Sequence, residues 1–330
     1  MKACLLFYQD IIPVKSRMLM LEKFRYDGES KIDLSTVRTK PKKDEVNKDE
    51  ILAKTAENQL KIQQLQDRLY ADSKEGLIII FQARDAAGKD STIKHVMSGV
   101  NPQGVDVWSF KSPSQEDLSH DYLWRFAKAV PARGKIAIFN RSYYEDVLIV
   151  KVRSLYKNYS VPERAKKEDI FEQRYDQIRN YEKYLYQNGY RVLKFFLNVS
   201  AKEQKKRFLE RINQPEKNWK FSESDVAERG LWNQYTEAYE SCINNTASKK
   251  APWYVIPADQ KWYSRYLVSE AILQVLEEID PKYPALSQEK KEGLALYKKA
   301  LEQEGSKPDS DDFQISSQER TAVERELEGK

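Results

Sequence analysis

Residues 78–96 read IIIFQARDAAGKDSTIKHV: an apolar, β-branched run, a Gly-Lys loop, then a helical pattern. Strand, loop and helix in that order form a phosphate cradle, because backbone N–H groups and the helix N-terminus converge on one anion. Gly88 lets the chain pass close to the anion, Lys89 reaches a transferring phosphate as a point charge, and Ala86 and Ala87 are too small to shield the amides. The usual loop reads G-x-x-x-x-G-K-[ST]. Here Ala83 stands at the first Gly and Asp90 at the Ser/Thr. Losing that hydroxyl removes the usual Mg²⁺ ligand. Asp85, inside the loop, supplies a hard oxygen instead, and an acid in a phosphate cradle points to a bridging cation. Asp90 is a second candidate ligand, or a first-turn acid that complements the helix dipole.

Around this unit, short apolar runs recur at Leu77–Phe81, Val105–Phe110, Ile136–Phe139, Val192–Val199 and Trp253–Ile256, separated by helical segments. That alternation predicts an α/β fold: a parallel sheet of about five strands with helices on both faces and its ligand site beyond the strand carboxyl ends. The spacing of Ile51, Leu60, Ile62, Leu65 and Leu69 predicts an amphipathic helix over 50–71, leading into the first strand. Residues 1–48 read as an arm, exposed from 21 onward. The kinase-like domain is expected over 49–284, with a helical, basic and aromatic lid at 201–240. A polar helix and a disordered tail, including GSKPDSDDFQISSQER, follow over 285–330.

The 330 residues are 40% hydrophobic and 32% charged, with 56 basic against 51 acidic side chains. A net charge of +5 is too small for a protein built around duplex nucleic acid, but suits an anion bound at one focused site. Two histidines, His95 and His120, leave little for a histidine cluster. Cys4 and Cys242 match no metal spacing, which fits a reduced, cytoplasmic setting. The run MKACLLFYQDIIPV is broken by Gln9 and Asp10, and no small-residue cleavage site follows, so export is set aside; Met18 or Met20 is an alternative start. No apolar run has the length of a membrane span.

The strand KIAIFNRSYYEDV ends at Asn140-Arg141, beside the loop in this kind of sheet, where Arg141 can clamp a phosphate bidentately. In the lid, Arg207 and Arg211 lie four apart on one helix face, and Lys217 and Lys220 extend the charge toward a phosphate chain; a solvated basic face, partly neutralised by Glu203 and Glu210, is the other reading. Trp219 and Phe221 are expected to pack the lid rather than stack a base. Arg84, Ser91 and Arg133 complete the candidate phosphate and nucleotide contacts.

DAAGKDSTIKHVMSGVNPQGV, SFKSPS, AVPARGKIAIFNRSYYEDVL, FLNVSAKEQKKRFLERI, PEKNWKFSESD and APWYVIPADQKWYSR, in that order, resemble the type-2 polyphosphate kinases over about residues 30–285. The resemblance implies a P-loop kinase core with a helical lid and a Mg²⁺- or Mn²⁺-dependent phosphoryl transfer between inorganic polyphosphate and nucleotides. It implies AMP, ADP and ATP as substrates, with guanine nucleotides as further candidates, and a homodimer or homotetramer. By that resemblance the loop acid is Asp85, the loop lysine Lys89, the arginine after the second strand Arg141, and the lid arginines Arg207 and Arg211. The family's usual acid before that arginine is Asn140 here, and Glu145 lies five residues on. This combination resembles the class III subgroup, which phosphorylates nucleoside monophosphates and diphosphates, and makes Glu145 a candidate metal ligand beside Asp85. An ATP-dependent nucleoside monophosphate kinase and a non-catalytic phosphate-binding P-loop protein are the alternatives.

Overall fold

A computed structural model describes residues 20–42, 45–166 and 169–303. The readings of the first residues, of Cys4 and of the tail beyond 303 fall outside the described residues. Among the described residues the sheet has six strands: β1 (Arg25–Tyr26), β2 (Gly76–Ala83), β3 (Val105–Ser109), β4 (Ile136–Asn140), β5 (Tyr190–Asn198) and β6 (Trp253–Pro257). Their order is β1-β6-β5-β2-β4-β3, parallel except for β1 against β6. All five expected strands form. β2 is central and buried along its whole length, as an unbroken apolar run requires when both sheet faces are covered.

The helices that position the site are α1 (Lys48–Asp72), α2 (Lys89–Val96), α3 (Ile170–Gln187), α4 (Ala201–Asn213), α5 (Glu223–Arg229), α6 (Trp232–Thr246) and α7 (Lys261–Ile279). α1 begins where the Asn47 side chain accepts from the amides of Asp49 and Glu50, and ends at Ser73 in the left-handed region. Its Ile51, Ile62 and Leu69 are buried; Leu60 is not, because at 59% exposure it lies on the outer face of the helix. Alternation along β2 sends Leu77, Ile79 and Phe81 into one core layer with α1 and α7. Ile78 and Ile80 enter the other, with Phe139, Ile178 and Trp253. Each fully buried side chain of this size contributes about 1.5–3 kcal/mol.

The expected exposed arm needs correction. Leu21 and Phe24 join the first core layer, Ile32 and Leu34 the second, and Arg25–Tyr26 adds the antiparallel sixth strand. The Ile32 and Leu34 amides donate to Asn244 Oδ1 and Glu240 Oε2 of α6. These apolar residues are too few and too irregularly spaced to show a period, so a polar composition masked them. The described residues divide into two compact units between Lys282 and Tyr283; the second carries α8 (Gln288–Gln303).

Candidate active site at the phosphate loop

β2 ends at Ala83 and α2 begins at Lys89, so the loop sits at the carboxyl edge of the parallel sheet. Gly88 has φ +103°, and a Cβ there would meet only Ser91 Oγ at 3.4 Å and Arg207 Nη1 at 3.6 Å among the described residues. Ala86 takes φ +60°, which costs a non-glycine residue energy that its surroundings must hold. They hold it through α4. Gln204 Nε2 donates to the Asp85 carbonyl (2.9 Å), and Arg207 Nη1 donates to those of Ala86 and Ala87 (3.1 and 2.7 Å). In a planar trans peptide the N–H points opposite to the C=O, so the amides of residues 86–88 are turned away from α4. The Ala87 amide closes a turn onto the Arg84 carbonyl (3.2 Å), which leaves those of Ala86 and Gly88 without a partner among the described residues.

Arg141 has φ +66°, and its amide donates to the Phe81 carbonyl. Its Nη2 donates to Asp85 Oδ1 (2.8 Å), and Nη1 lies 3.7 Å from Glu145 Oε2. Glu145 and then Asp85 raise the pKa of this guanidinium further, so it stays protonated. Burial and Arg141 push Lys89 down, against Asp85, Glu145 and Asp90; its Nζ leans on the Ala83 carbonyl at 3.4 Å. Asn140 Nδ2 donates to Asp90 Oδ1 (2.9 Å), and Ser91 Oγ to the Gly88 carbonyl. Asp90 therefore ties α2 to the end of β4.

Apart from Glu145, the side chains just described line a cleft of about 590 Å³. Asp85 to Ser91, Asn140, Arg141, Arg207, Arg211, Lys217 and Lys220 all border it. So do Lys111 and Lys261, which the residue-level reading missed. Lys111 follows β3 and Lys261 opens α7 after β6, so their place at strand carboxyl ends was the available signal. Among the described residues eight basic side chains and three acidic ones (Asp85, Asp90 and Glu210) line the cleft, a balance suited to a ligand with several negative charges.

Other candidates are placed differently. Arg207 is buried and spends its fork on backbone: besides the loop carbonyls it donates to those of Ala258 and Asp259, and its Nε to Glu203 Oε1. Arg211 is the more open of the two, held by Asp225 Oδ2 (3.1 Å) and the Lys220 carbonyl. Arg84 is buried over the Trp232 ring (4.1 Å) with Nη2 on Thr236 Oγ1, and burial pushes it down to about 10. It borders a second cleft, about 250 Å³, that holds Glu145, Trp232, Tyr235 and Tyr239 and meets the first at Asp85 and Arg141. Arg133 does not reach the site. It precedes β4, at the amino edge of the sheet, where it donates to the Asn188 carbonyl (3.0 Å). Trp219, expected to pack the lid, is 77% exposed, with the Lys220 ammonium 4.8 Å from its ring centre. His120 stacks on Trp124, and His95 is half-buried in α2.

A loop of this geometry on a parallel sheet, roofed by a basic helical insertion, defines a P-loop-type phosphotransferase. The chain belongs to the polyphosphate kinase 2 family, whose model matches residues 45–284. It is 44% identical over 285 residues, 85% of the chain and 98% of the relative, to an ADP-polyphosphate phosphotransferase of Rhodopseudomonas palustris. It is 45% identical to an AMP/ADP-polyphosphate phosphotransferase of Meiothermus ruber, over 68% of the chain and 80% of the relative. The crystal structure of polyphosphate kinase 2 from Arthrobacter aurescens superposes with a TM-score of 0.75 at 34% identity, covering 84% of this chain and 96% of that one.

Proposed function

We propose that this phosphotransferase moves phosphoryl groups reversibly from inorganic polyphosphate to both AMP and ADP, forming ADP and ATP, with Mg²⁺ or Mn²⁺ bound at Asp85 and Glu145. The observation that carries the donor is the strongly basic cleft ending on the loop, which suits a linear polyanion. The second cleft, meeting it at Asp85 and Arg141 and walled by Trp232, Tyr235 and Tyr239, suits an acceptor nucleotide. The family and the names of the relatives support the same donor and acceptors.

Mg²⁺ in phosphoryl-transfer sites takes one or two carboxylates and fills its shell with phosphate oxygens and water. Among the described residues no three His, Cys, Asp or Glu side chains gather as a metal site. Asp85 and Glu145, both beside Arg141, supply the two hard carboxylates such an ion needs, so the donor set fits. When bound, the ion would neutralise phosphate charge that the basic residues leave uncovered. The chain's own part is positioning. The Ala86 and Gly88 amides and the Lys89 ammonium hold the transferring group, Arg141 clamps it from the β4 side, and Arg207 keeps the loop carbonyls turned away. Transfer is direct and in-line, with no side chain phosphorylated.

We place the enzyme in the cytoplasm as a homodimer or homotetramer; among the described residues no helix is long and apolar enough to cross a membrane. The test is to incubate the purified chain with polyphosphate, AMP and Mg²⁺, without any nucleoside triphosphate. ADP and then ATP are expected, and a chelator abolishes both. Product that forms only with an added nucleoside triphosphate supports an ATP-dependent monophosphate kinase instead.

A further inference from the structure

The run VLKFFLN of β5 contains one charge, Lys194, whose strand neighbours are Ile80 of β2 and Trp253 of β6. Lys194 is completely buried, and so, at 3% exposure or less, are its companions Glu182, Tyr143 and Tyr144. Lys194 Nζ donates to Glu182 Oε2 (2.7 Å), to Tyr144 Oη (3.0 Å) and to the Thr246 carbonyl (2.9 Å). Both tyrosine hydroxyls donate to the other Glu182 oxygen, at 2.9 and 2.7 Å. All three ammonium protons and both carboxylate oxygens are used. A buried ion pair seldom adds stability over a well-packed apolar pair, because desolvating two charges offsets their attraction. Its hydrogen bonds are directional, however, and fix what they hold.

What they hold is the turn after the strained residue Arg141. Tyr143 and Tyr144 open the turn that ends at Val147. Its backbone is closed by the Ser142 side chain on the Tyr144 amide and by the Glu145 amide on the Ser142 carbonyl. The same short stretch presents Arg141 to Asp85 and Glu145 to Arg141. We infer that the Glu182–Lys194 pair, acting through the two tyrosine hydroxyls, is a positioning device that sets Arg141 and Glu145 for phosphoryl transfer. The inference rests on the reading of Arg141 and Glu145 given above. Neither Glu182 nor Lys194 lines the cleft, so both act only through the turn.

Two double variants test it. Tyr143→Phe with Tyr144→Phe removes both hydroxyls and keeps both rings and the ion pair. Glu182→Leu with Lys194→Met replaces the pair by apolar groups of similar size. Both are expected to fold with a lowered Tm, because each leaves buried polar groups without a partner, so kcat is compared well below either transition. Their kcat with polyphosphate and ADP should fall roughly ten- to a hundredfold, the scale of a small misplacement of reacting groups. KM for polyphosphate, set by the rest of the basic cleft, should change by less than about twofold. Parent-like kcat in folded variants would show that the pair serves stability alone and would overturn the inference. If either double variant does not fold, Tyr144→Phe alone decides in the same way. A parent chain with no polyphosphate turnover would overturn the functional reading and this inference with it.

Discussion

Arg207 and Arg211 stand one helical turn apart, but they meet different partners because α4 lies across the loop and the end of β6. Arg207 is enclosed and holds four carbonyls, so Arg207→Lys strands acceptors that the shorter point charge cannot reach together. Each buried acceptor left unsatisfied costs about 1–3 kcal/mol. A clear fall in Tm is therefore expected for Arg207→Lys. Arg211→Lys should leave Tm near the parent value and weaken the transfer step by about 1.5–3 kcal/mol, as for one charged hydrogen bond. Equal Tm values in the two variants would contradict the assignment of Arg207 to the backbone. At the end of β4, Asn140 donates to Asp90, and an acid at 140 would face that carboxylate and add charge beside Arg141. Asn140→Asp combined with Glu145→Asn is expected to lower kcat/KM on AMP at least about tenfold more than on ADP. The same loss on both acceptors would mean that the pair serves phosphoryl transfer in general.

At the scale of elements, the loosely held part of the lid begins later than residue 201, where the sequence reading starts it. Gln204 and Arg207 fasten the first turns of α4 to the loop, whereas the helix breaks at Gln214, before Pro215. Beyond it the chain is held by a few side-chain ties: Arg211 to Asp225, Arg229 to Gln204 and Arg153 to Glu228. A segment with few buried contacts opens first. Hydrogen exchange should therefore show residues 215–230 slowing when polyphosphate binds, with residues 204–208 already protected without it. A uniform change from Ala201 onward would mean that the whole insertion moves as one body. Part of this arrangement was legible. Short apolar runs announced the strands, and the Gly-Lys loop announced its place at their carboxyl edge. The four-residue spacing of the arginines showed a shared helix face but not what that face meets. Arg133 was misassigned although the topology places it: a residue that precedes a parallel strand stands at the edge away from the site. β1, two residues long, gave no period at all.

For the molecule as a whole, the sheet brings the loop and the basic residues of the cleft to one edge. The loop follows β2, Lys111 follows β3, Arg141 follows β4, α4 follows β5 and Lys261 follows β6. Charge gathered there, while the chain as a whole carries only +5, gives a polyanion one place to bind. Neither histidine lines the basic cleft, and an in-line transfer needs no phosphorylated side chain. Rapid-quench single turnover with radiolabelled polyphosphate and ADP tests the central claim of direct transfer most closely. Direct transfer passes label into ATP at the rate of turnover with none held covalently on the protein. Label that accumulates on a side chain and decays into ATP at that same rate would contradict it.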